Sequence, residues 1–464
     1  MIETIDPTTG RVLERFAPMD DGQINAKLEA AARSASSWAA TSFDQRAALL
    51  RAIAQTLRRE RDPLAATAVR EMGKPIVQAR AEVEKCAWAL DYFAENGAAM
   101  LAPQPAPSAA ARSYVAFRPL GVLLAIMPWN FPFWQVIRAA APALMAGNTM
   151  LLKHAANTTR CALELERVFS ESGAPEGVFG ALIARGETID KLIADPRIAA
   201  ATLTGSERAG VAVASAAGEA LKKCVLELGG SDPFVVFDDA DIEAAAQTAV
   251  TARFQNNGES CIAAKRFIVE GGAYDRFLER FVELAGAQIV GDPMEERVQL
   301  GPCAREDLRA SVHEQVEATV ERGARLALGG KSLDREGFFY EATIVADVVP
   351  GMPMFDEEVF GPAAAVIRAN DRERAVALAN ASSFGLGSSL WTRDVAAAER
   401  FAGQIEAGAV FINGMVASDP RLPFGGVKRS GYGRELSTFG IHEFVNIQTV
   451  WIGGAQSADA APAE

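Results

Sequence analysis

The sequence predicts an α/β protein of two or three domains built on parallel sheets, and three observations support this. Short apolar segments alternate with amphipathic helical segments over most of the chain, which is typical of βαβ units. The chain has 464 residues, which is too long for one small core. Its composition is 49% hydrophobic and 23% charged, as in globular proteins.

The predicted elements follow this alternation. Residues 24–96 carry apolar side chains at helical spacings of three and four, interrupted at 73–75 by Gly-Lys-Pro. Residues 102–113, rich in Pro, Ala and Ser, predict a connector. The next predicted elements are strands at 114–128, a helix at 133–148, a strand at 149–154, a helix at 158–173, and strands at 178–184, 199–205, 222–230 and 233–239. A second α/β series has predicted strands at 266–270, 325–330, 343–348, 363–368, 388–392 and 409–414, with helices between them.

The composition of the chain argues against nucleic-acid and membrane partners and against a disulfide framework. The formal net charge of −13 argues against nucleic acid, which needs clustered basic residues. Five widely spaced cysteines without a CxxC predict no disulfide framework, so we expect a reducing, cytoplasmic location. The N-terminus lacks an apolar signal core, and the most apolar run, 119–131, is too short to span a bilayer. We therefore expect no membrane partner.

Several catalytic motifs are missing from the sequence. It contains no P-loop, no H-E-x-x-H and no G-x-G-x-x-G that follows a strand and opens a helix, and it has three histidines. Zinc hydrolysis and activation of a nucleophile by histidine are therefore poorly supported, and we expect no metal.

Cys261 is the first candidate for chemistry. A lone cysteine is more often a small buried apolar side chain than a nucleophile. Here it follows a polar segment, 256–260, between helical sequence and a strand, where we expect a flexible loop that exposes a reactive thiol. A free thiol with a pKa of about 8.5 is only slightly ionised at neutral pH, so it needs help from a base or from local dipoles.

Two further side chains are candidates to assist this thiol. Glu227 ends an apolar strand and is followed by two glycines, which indicates the close approach of a ligand or backbone; a solvated carboxylate at a strand edge is the alternative. Asn130 stands between prolines and aromatics in the segment 128–132. Its amide would be held rigid there, as an oxyanion donor requires, although a purely structural turn is equally open.

Seven motifs together give the chain a family resemblance. They are PWNFP (128–132), LLKHA (151–155), LTGS (203–206), LELGG (226–230), NNGESC (256–261), EEVFGP (357–362) and PFGGVKRSGYGRE (423–435). In this order and spacing the chain resembles the aldehyde dehydrogenase superfamily over nearly its whole length. Within it, the chain looks most like compact bacterial succinate-semialdehyde dehydrogenases.

The resemblance implies a reaction and residues that perform it. Cys261 matches the nucleophile that attacks an aldehyde to form a thiohemiacetal. Asn130 and the backbone N–H of Cys261 match the oxyanion hole. Glu227 matches the base that activates water against the thioester left by hydride transfer, and Glu435 matches a secondary acidic position near the proton path. The implied activity is oxidation of an aldehyde, without a metal.

The resemblance also implies a site for NADP or NAD. The matching positions are Trp129, Lys153, Gly205, Ser206, Glu358, Phe360 and Phe424. Lys153 matches a contact to the adenosine ribose, and Gly205 and Ser206 precede a helix whose N-terminus favours a pyrophosphate. Glu358 matches the residue that holds the nicotinamide ribose. Ala156 stands where NAD-preferring relatives often carry a glutamate, so we expect NADP⁺ to be tolerated and consider it a candidate for the preferred cofactor.

Three positions are predicted to bind the substrate. Arg138, two turns after Asn130 and expected on the same helix, matches a position in the substrate tunnel and suits a carboxylate clamp; a surface salt bridge is the alternative. Ser418 matches another tunnel position that could bind the same carboxylate, and Trp134 could form an apolar wall. These positions predict succinate semialdehyde, with another small aliphatic or ω-carboxy aldehyde as the alternative.

Two other functions stay open at this point. CoA-acylating relatives generally lack the base at the position of Glu227, so its presence favours hydrolysis. A catalytically silent binding or structural protein is disfavoured while Cys261, Glu227 and Asn130 are all present.

The fold implied by the resemblance has three parts. They are a Rossmann-like cofactor domain at 1–102 and 121–227, an α/β catalytic domain at 228–440, and a small β oligomerisation flap at 103–120 and 441–453. Such flaps pair between subunits, so we expect a homo-dimer or a homo-tetramer. Residues 454–464 are small and polar, which predicts a flexible tail.

Overall fold

The computed structural model describes residues 1–453, which form two α/β units and a smaller antiparallel sheet. The tail predicted at 454–464 lies outside the described residues. The first elements are β1 (Ile2–Asp6), β2 (Arg11–Phe16), α1 (Asp21–Ala39), α2 (Phe43–Arg59), α3 (Arg61–Met72), α4 (Ile76–Met100), β3 (Gln104–Pro105), β4 (Arg112–Pro119), β5 (Val122–Met127), α5 (Trp134–Met145), β6 (Thr149–His154), α6 (Thr159–Glu171), β7 (Phe179–Ala181), α7 (Ile189–Ala194), β8 (Ile198–Thr204), α8 (Glu207–Glu219) and β9 (Lys223–Glu227).

The second half of the chain continues the alternation of strands and helices. Its elements are β10 (Asp232–Val236), α9 (Ile242–Phe254), β11 (Ala264–Glu270), α10 (Gly271–Gly286), α11 (Glu306–Glu321), β12 (Arg325–Leu328), β13 (Thr343–Ala346), α12 (Pro353–Asp356), β14 (Ala363–Ala369), α13 (Arg372–Asn380), β15 (Gly387–Trp391), α14 (Val395–Ala402), β16 (Ala409–Ile412), β17 (Gly431–Tyr432), α15 (Ser437–Glu443) and β18 (Val445–Ile452). The predicted α/β fold class is confirmed.

The first sheet has the strand order β17-β9-β8-β5-β6-β7, and its strands are parallel except for β17. All six residues of the central strand β5 are buried, as expected where helices cover both faces of a parallel sheet. Parallel strands end at the same edge, so the segments that follow β5, β8 and β9 meet there. In such folds this carboxyl edge is where ligands bind.

The second sheet has the order β12-β13-β14-β11-β10-β15-β16 and is parallel except for the β12–β13 pair. Helix α9 and strand β11 belong to this unit, and the segment between them carries Cys261. The third sheet, β18-β4-β3, is antiparallel, and β18 pairs with β4 over eight residues. It draws on both stretches predicted as a flap. The domain boundaries at 102, 120, 227 and 440 stay predictions.

The structure differs from the predicted elements at several places. The N-terminal hairpin of β1 and β2 was not predicted. The predicted helical region has further breaks, since Ser42 caps α2 by accepting from the backbone N–H of Gln45 at 3.2 Å, and α2 ends before Glu60. The predicted connector contains β3 and the first residues of β4. Gly73, with φ of +80°, ends α3 as expected. Within residues 1–453, none of the helices combines the length and apolarity needed to cross a membrane.

Candidate active site

The segment that presents Cys261 is a buried, sharply turned loop. Asn256, Asn257 and Gly258 have φ of 55°, 58° and 72°, so three consecutive residues adopt the left-handed conformation. Glycine adopts this conformation without strain and asparagine tolerates it better than most residues. All residues from 256 to 260 are buried, and Cys261 is partly exposed. The loop itself is therefore buried, although the thiol that it was expected to expose is partly accessible.

Hydrogen bonds from two asparagines explain why this polar loop is stable when buried. The Asn256 side-chain N–H donates to the carbonyls of Asn130 and Glu259, both at 2.9 Å. Asn257 donates to the carbonyls of Gly73 at 3.0 Å and Pro302 at 2.9 Å. The side chains therefore satisfy the backbone groups that solvent would otherwise bind, and they fix the loop against α3 and the segment after β5.

Lys265 supports the loop from the start of β11. Its buried ammonium donates to the carbonyls of Ser260 at 2.8 Å and Cys261 at 2.7 Å. Within residues 1–453, the backbone N–H of Cys261 donates to no other group. Because the carbonyls of this turn are held by Lys265, the N–H of Cys261 is kept in place as a donor for a ligand atom at the thiol.

The thiol of Cys261 lies where two cavities meet. One, the Glu227 cavity, has a volume of about 350 Å³ and is lined by Trp129, Asn130, Gly205, Ser206, Glu227, Glu358 and Phe360, among others. The other, the Ser418 cavity, has a volume of about 240 Å³ and is lined by Lys85, Trp134, Arg138, Ser418 and Phe424, among others. Cys261 and Gln135 line both cavities. A group bound to the sulfur can therefore contact ligands from two sides.

The protein environment keeps Cys261 protonated when no ligand is bound. Burial raises the pKa of this thiol to about 11, while the charges of Arg138 and Lys265 oppose the shift. The thiolate is the reactive form, so a proton acceptor or a change on ligand binding has to assist it.

Asn130 is oriented by hydrogen bonds on both ends of its amide. Its Oδ1 accepts from Gln135 Nε2 at 2.9 Å, and its Nδ2 donates to the Glu259 carbonyl at 3.0 Å. The amide nitrogen has a second N–H, which remains for a ligand in the Glu227 cavity. Asn130 precedes α5 rather than lying on the same helix as Arg138, so that expectation is wrong.

Glu227 ends β9 as predicted and points into the Glu227 cavity. It is 2% exposed, and neither carboxylate oxygen has a hydrogen-bond partner among the described residues. Burial raises the pKa of Glu227 well above its usual value, and the nearby charge of Glu435 adds to the shift. Burying the charged form of a carboxyl without a partner is costly, so Glu227 binds a proton more tightly than an ordinary carboxylate does.

Glu358 packs against the glycines that follow Glu227. Its Oε1 accepts from the backbone N–H of Gly230 at 3.0 Å and lies 3.6 Å from Lys265 Nζ. A Cβ on Gly229 would collide with the Glu358 carboxylate, so any other residue there would require this carboxylate to move. The carboxylate is thereby placed at the wall of the Glu227 cavity.

The N-terminus of α8 opens on the same cavity. Ser206 caps the helix by accepting from the backbone N–H of Ala209 at 3.3 Å, and Gly205 precedes it. Trp129 and Phe360 meet edge to face with ring centroids 5.7 Å apart and form an apolar wall. This cavity thus combines a helix N-terminus, a carboxylate and two aromatic rings.

Lys153 and Ala156 lie beyond the walls of the Glu227 cavity. Lys153 is the penultimate residue of β6 and is half-buried, and burial lowers its pKa. Ala156 is exposed at the start of a short 3₁₀ turn. Both follow or end a strand at the same carboxyl edge as Glu227, so they extend the ligand-binding edge away from Cys261. Their predicted roles toward the adenosine stay predictions.

Arg138 lies in the wall of the Ser418 cavity, but its charge is already paired with a carboxylate of the protein. It forms a buried ion pair with Glu435 and donates from Nη2 to Thr204 Oγ1 at 3.0 Å. Its guanidinium also stacks over the Phe424 ring, 4.6 Å from the centroid. Phe424 lines the Ser418 cavity and is not among the residues of the Glu227 cavity, and its predicted role in the cofactor wall stays a prediction. The clamp role of Arg138 stays a prediction.

Sequence reasoning missed Lys85, which lies on α4 and lines the Ser418 cavity. Its ammonium donates to Ser418 Oγ at 2.7 Å and lies 4.3 Å from the centre of the Trp134 ring. Nothing in the sequence around Lys85 distinguishes it from other polar positions of a long amphipathic helix. Only the fold brings it beside residues of α5 and of the loop after β16.

Comparisons with known proteins identify the family of the chain. The model of the aldehyde dehydrogenase family matches residues 1–450. A relative from Mycobacterium tuberculosis (strain ATCC 25618 / H37Rv) named NADP(+) succinate-semialdehyde dehydrogenase 1 is 52% identical over 454 residues, which cover 97% of this chain and 99% of the relative. The NAD(P)+ succinate semialdehyde dehydrogenase of Escherichia coli (strain K12) is 51% identical over 448 residues, 97% of each chain.

Solved structures give the same result. A succinic semialdehyde dehydrogenase from Streptococcus pyogenes, solved with NADP⁺, superposes with a TM-score of 0.96 at 37% identity and covers 98% of this chain and 100% of its own. A structure of Gox0499 has a TM-score of 0.96 at 42% identity and covers 97% of this chain and 99% of its own. The chain belongs to the aldehyde dehydrogenase family, which confirms the resemblance seen in its motifs.

Proposed function

We propose that the protein oxidises succinate semialdehyde to succinate with NADP⁺ or NAD⁺. The position of Cys261 at the junction of two cavities carries this proposal, since one cavity suits a dinucleotide and the other a small anionic aldehyde. The names of the two relatives at 51% and 52% identity support the same substrate and cofactors.

The Glu227 cavity has features that fit a nicotinamide dinucleotide. The N-terminus of α8 at Ser206 can bind a pyrophosphate, and the Glu358 carboxylate can accept from ribose hydroxyls. Gly229 lets the Glu358 carboxylate pack against the backbone at the cavity wall, where a side chain would displace it. A nicotinamide dinucleotide held by these residues would supply the hydride acceptor for the carbon attached to Cys261.

Cys261 and Asn130 perform the first chemical step in this proposal. The thiolate attacks the aldehyde carbonyl, and the resulting oxyanion accepts hydrogen bonds from the Asn130 amide and the Cys261 backbone N–H. These donors are fixed before the reaction by Gln135 and Lys265, so little reorganisation is needed. After loss of the hydride, the acyl group remains on the sulfur as a thioester.

Glu227 performs the hydrolytic step in this proposal. Its carboxylate takes a proton from a water molecule, the hydroxide oxygen attacks the thioester, and the thiolate leaves. The raised pKa of Glu227 makes it a better proton acceptor once it is ionised. A role for Glu435 in relaying that proton is proposed from its charge interaction with Glu227.

The Ser418 cavity is the proposed aldehyde site. Its volume of about 240 Å³ suits a small aldehyde, because drug-sized ligands occupy about 300 Å³ or more. In this proposal Trp134 supplies an apolar wall and Ser418 a hydroxyl, since both line the cavity. Its wall carries Lys85 and the guanidinium of Arg138, which is paired with Glu435, and the excess of one positive charge favours an aldehyde with a carboxylate at its other end.

Assembly and location are also proposed. Strand β18 is the edge of its sheet and exposes Ile447, Trp451 and Ile452, which supports pairing with a second copy in a homo-dimer or homo-tetramer. A cytoplasmic location is supported by the five cysteines, all of which are unpaired within residues 1–453.

A panel of aldehydes with each cofactor tests the proposed function. We would measure kcat/KM for succinate semialdehyde, the five-carbon ω-carboxy aldehyde, butanal and hexanal with NAD⁺ and NADP⁺, and assay free succinate without CoA. Succinate semialdehyde is expected to have the highest kcat/KM. A higher value for butanal would contradict the substrate, and a requirement for CoA would contradict hydrolysis by Glu227.

A further inference from the structure

Lys85 is a cation in the wall of the Ser418 cavity that no carboxylate neutralises by contact. Its ammonium contacts the Ser418 hydroxyl at 2.7 Å and the face of the Trp134 ring at 4.3 Å. No ion pair of Lys85 is found in the part of the chain that the structure describes. The ammonium has three N–H donors, and Ser418 uses one of them.

We propose that Lys85 is the residue that recognises the ω-carboxylate of the substrate, held in place by Trp134 and Ser418. This rests on the proposed function, because it takes succinate semialdehyde as the substrate. Cys261 and Lys85 line the same small cavity, so an aldehyde carbon at the sulfur leaves the far end of the molecule facing the ammonium. The cation–π contact fixes the lysine stem without using an N–H.

Arg138 is the competing candidate, and its contacts assign it a different role. Its charge is compensated by the buried carboxylate of Glu435, and Nη2 is bonded to Thr204. An incoming carboxylate would meet a pair whose net charge is zero. Lys85 carries an uncompensated charge in the same cavity, so it supplies most of the discrimination between an anionic and a neutral aldehyde. Arg138 forms part of the cavity wall and can donate to the substrate only from an N–H that Glu435 and Thr204 do not use.

The two carboxylates near Lys85 are occupied by other partners. Glu82, on the same helix, pairs with Lys74 and accepts from the backbone at the start of α5. Asp419, on the loop that carries Ser418, accepts from Arg421 at 2.6 and 2.9 Å. Neither carboxylate is free to close on the ammonium.

The charge of Lys85 is expected to change within an accessible pH range. Burial and the charge of Arg138 lower the pKa of Lys85 to about 8, while Cys86, Glu82 and Asp419 oppose the shift. The cation is therefore present below pH 8 and lost above it. Ionisation of Cys261 affects all aldehydes alike, so the ratio of kcat/KM for succinate semialdehyde to that for butanal isolates the contribution of Lys85.

The test measures this ratio from pH 6.5 to 9.5 in the full-length protein and its variants. In the wild type the ratio should fall above pH 8. In Lys85→Met, which keeps a stem of similar length on Trp134, the ratio should be roughly 10- to 100-fold lower and independent of pH. In Lys85→Arg, which stays charged, the ratio should remain high without the decline. Lys331→Gln, which removes an exposed lysine, is the control and should match the wild type.

The outcomes separate this proposal from the proposed function. A Lys85→Met ratio that keeps the value and pH dependence of the wild type would overturn the role of Lys85, as would an equal loss on both aldehydes. A wild-type ratio below one at pH 7 would overturn succinate semialdehyde as the substrate. Thermal melting of each variant identifies a folding defect, and Lys85→Arg then still tests the charge because it should restore the ratio.

Discussion

Arg138 and Glu435 form a buried ion pair directly beside Glu227, with side chains that are 2% and 1% exposed. Burial raises the pKa of both Glu227 and Glu435, the charge of Arg138 opposes this shift in both, and the charge of Glu435 adds to the shift of Glu227. Arg138 is the only cation that the described structure places in contact with Glu435. Its charge therefore controls whether Glu227 and Glu435 can both be ionised. This relationship gives Arg138 a role that does not depend on the substrate.

Removal of Arg138 alone should destabilise the protein. In Arg138→Met the carboxyl of Glu435 is left buried and uncompensated, and breaking such a pair typically costs about 3–5 kcal/mol. The melting temperature should fall, and turnover of both anionic and neutral aldehydes should decrease. The double variant Arg138→Met/Glu435→Gln should recover much of the lost melting temperature, since no charge is left unpaired. Additive losses in the double variant would show that the two residues act independently.

Glu227→Gln should stop the reaction after hydride transfer. The amide cannot accept a proton from water, so the thioester on Cys261 should accumulate. Rapid mixing should show a burst of reduced cofactor of about one equivalent per site, followed by a steady rate roughly 100-fold or more below that of the wild type. Intact-mass measurement should find the acyl group on Cys261. A slow reaction with neither burst nor acyl adduct would instead assign Glu227 to activation of the thiol.

Alkylation of Cys261 should accelerate with pH over an unusually wide range. Since the pKa of the thiol is about 11 without ligand, the thiolate fraction should rise roughly tenfold per pH unit between pH 7 and pH 10. Iodoacetamide rates should follow it. Cys86, Cys161 and Cys303 are buried, and the Cys261→Ala variant corrects for Cys224. A plateau below pH 8 would mean that the resting thiol is already activated.

The sequence predicted the parts of the site whose function depends on short motifs. Glu227 ends β9, Ser206 caps α8 and Cys261 lies in the turn before β11, so each stands where an element begins or ends and where a motif falls. The loop before Cys261 was expected to be flexible because its residues are polar. It is buried because the side chains of Asn256 and Asn257 replace water as partners of the backbone.

Contacts between distant segments could not be predicted in the same way. Arg138 was recognisable as a tunnel residue, but its pairing with Glu435 depends on how the C-terminal segment crosses the first sheet. Lys85 carried no signal, since a lysine on an amphipathic helix is ordinarily solvated. The position of Phe424 in the wall of the Ser418 cavity, beneath the Arg138 guanidinium, also depends on contacts between distant segments. In each case the position of the side chain is set by contacts between residues that are far apart in the sequence.

Ala156→Glu should shift cofactor preference toward NAD⁺. Ala156 is exposed just after β6, so a glutamate fits without disturbing the core, and its carboxylate would repel a 2′-phosphate on a bound adenosine. The kcat/KM for NADP⁺ should fall roughly 10- to 100-fold while that for NAD⁺ changes less than about threefold, since like-charge juxtaposition costs several kcal/mol in binding. Ala396→Glu adds the same charge at an exposed position of α14 and should change neither value. If Ala156→Glu lowered kcat/KM equally for NADP⁺ and NAD⁺, the adenosine ribose would have to bind elsewhere along the carboxyl edge. The predicted contact of Lys153 with that ribose would then fail as well.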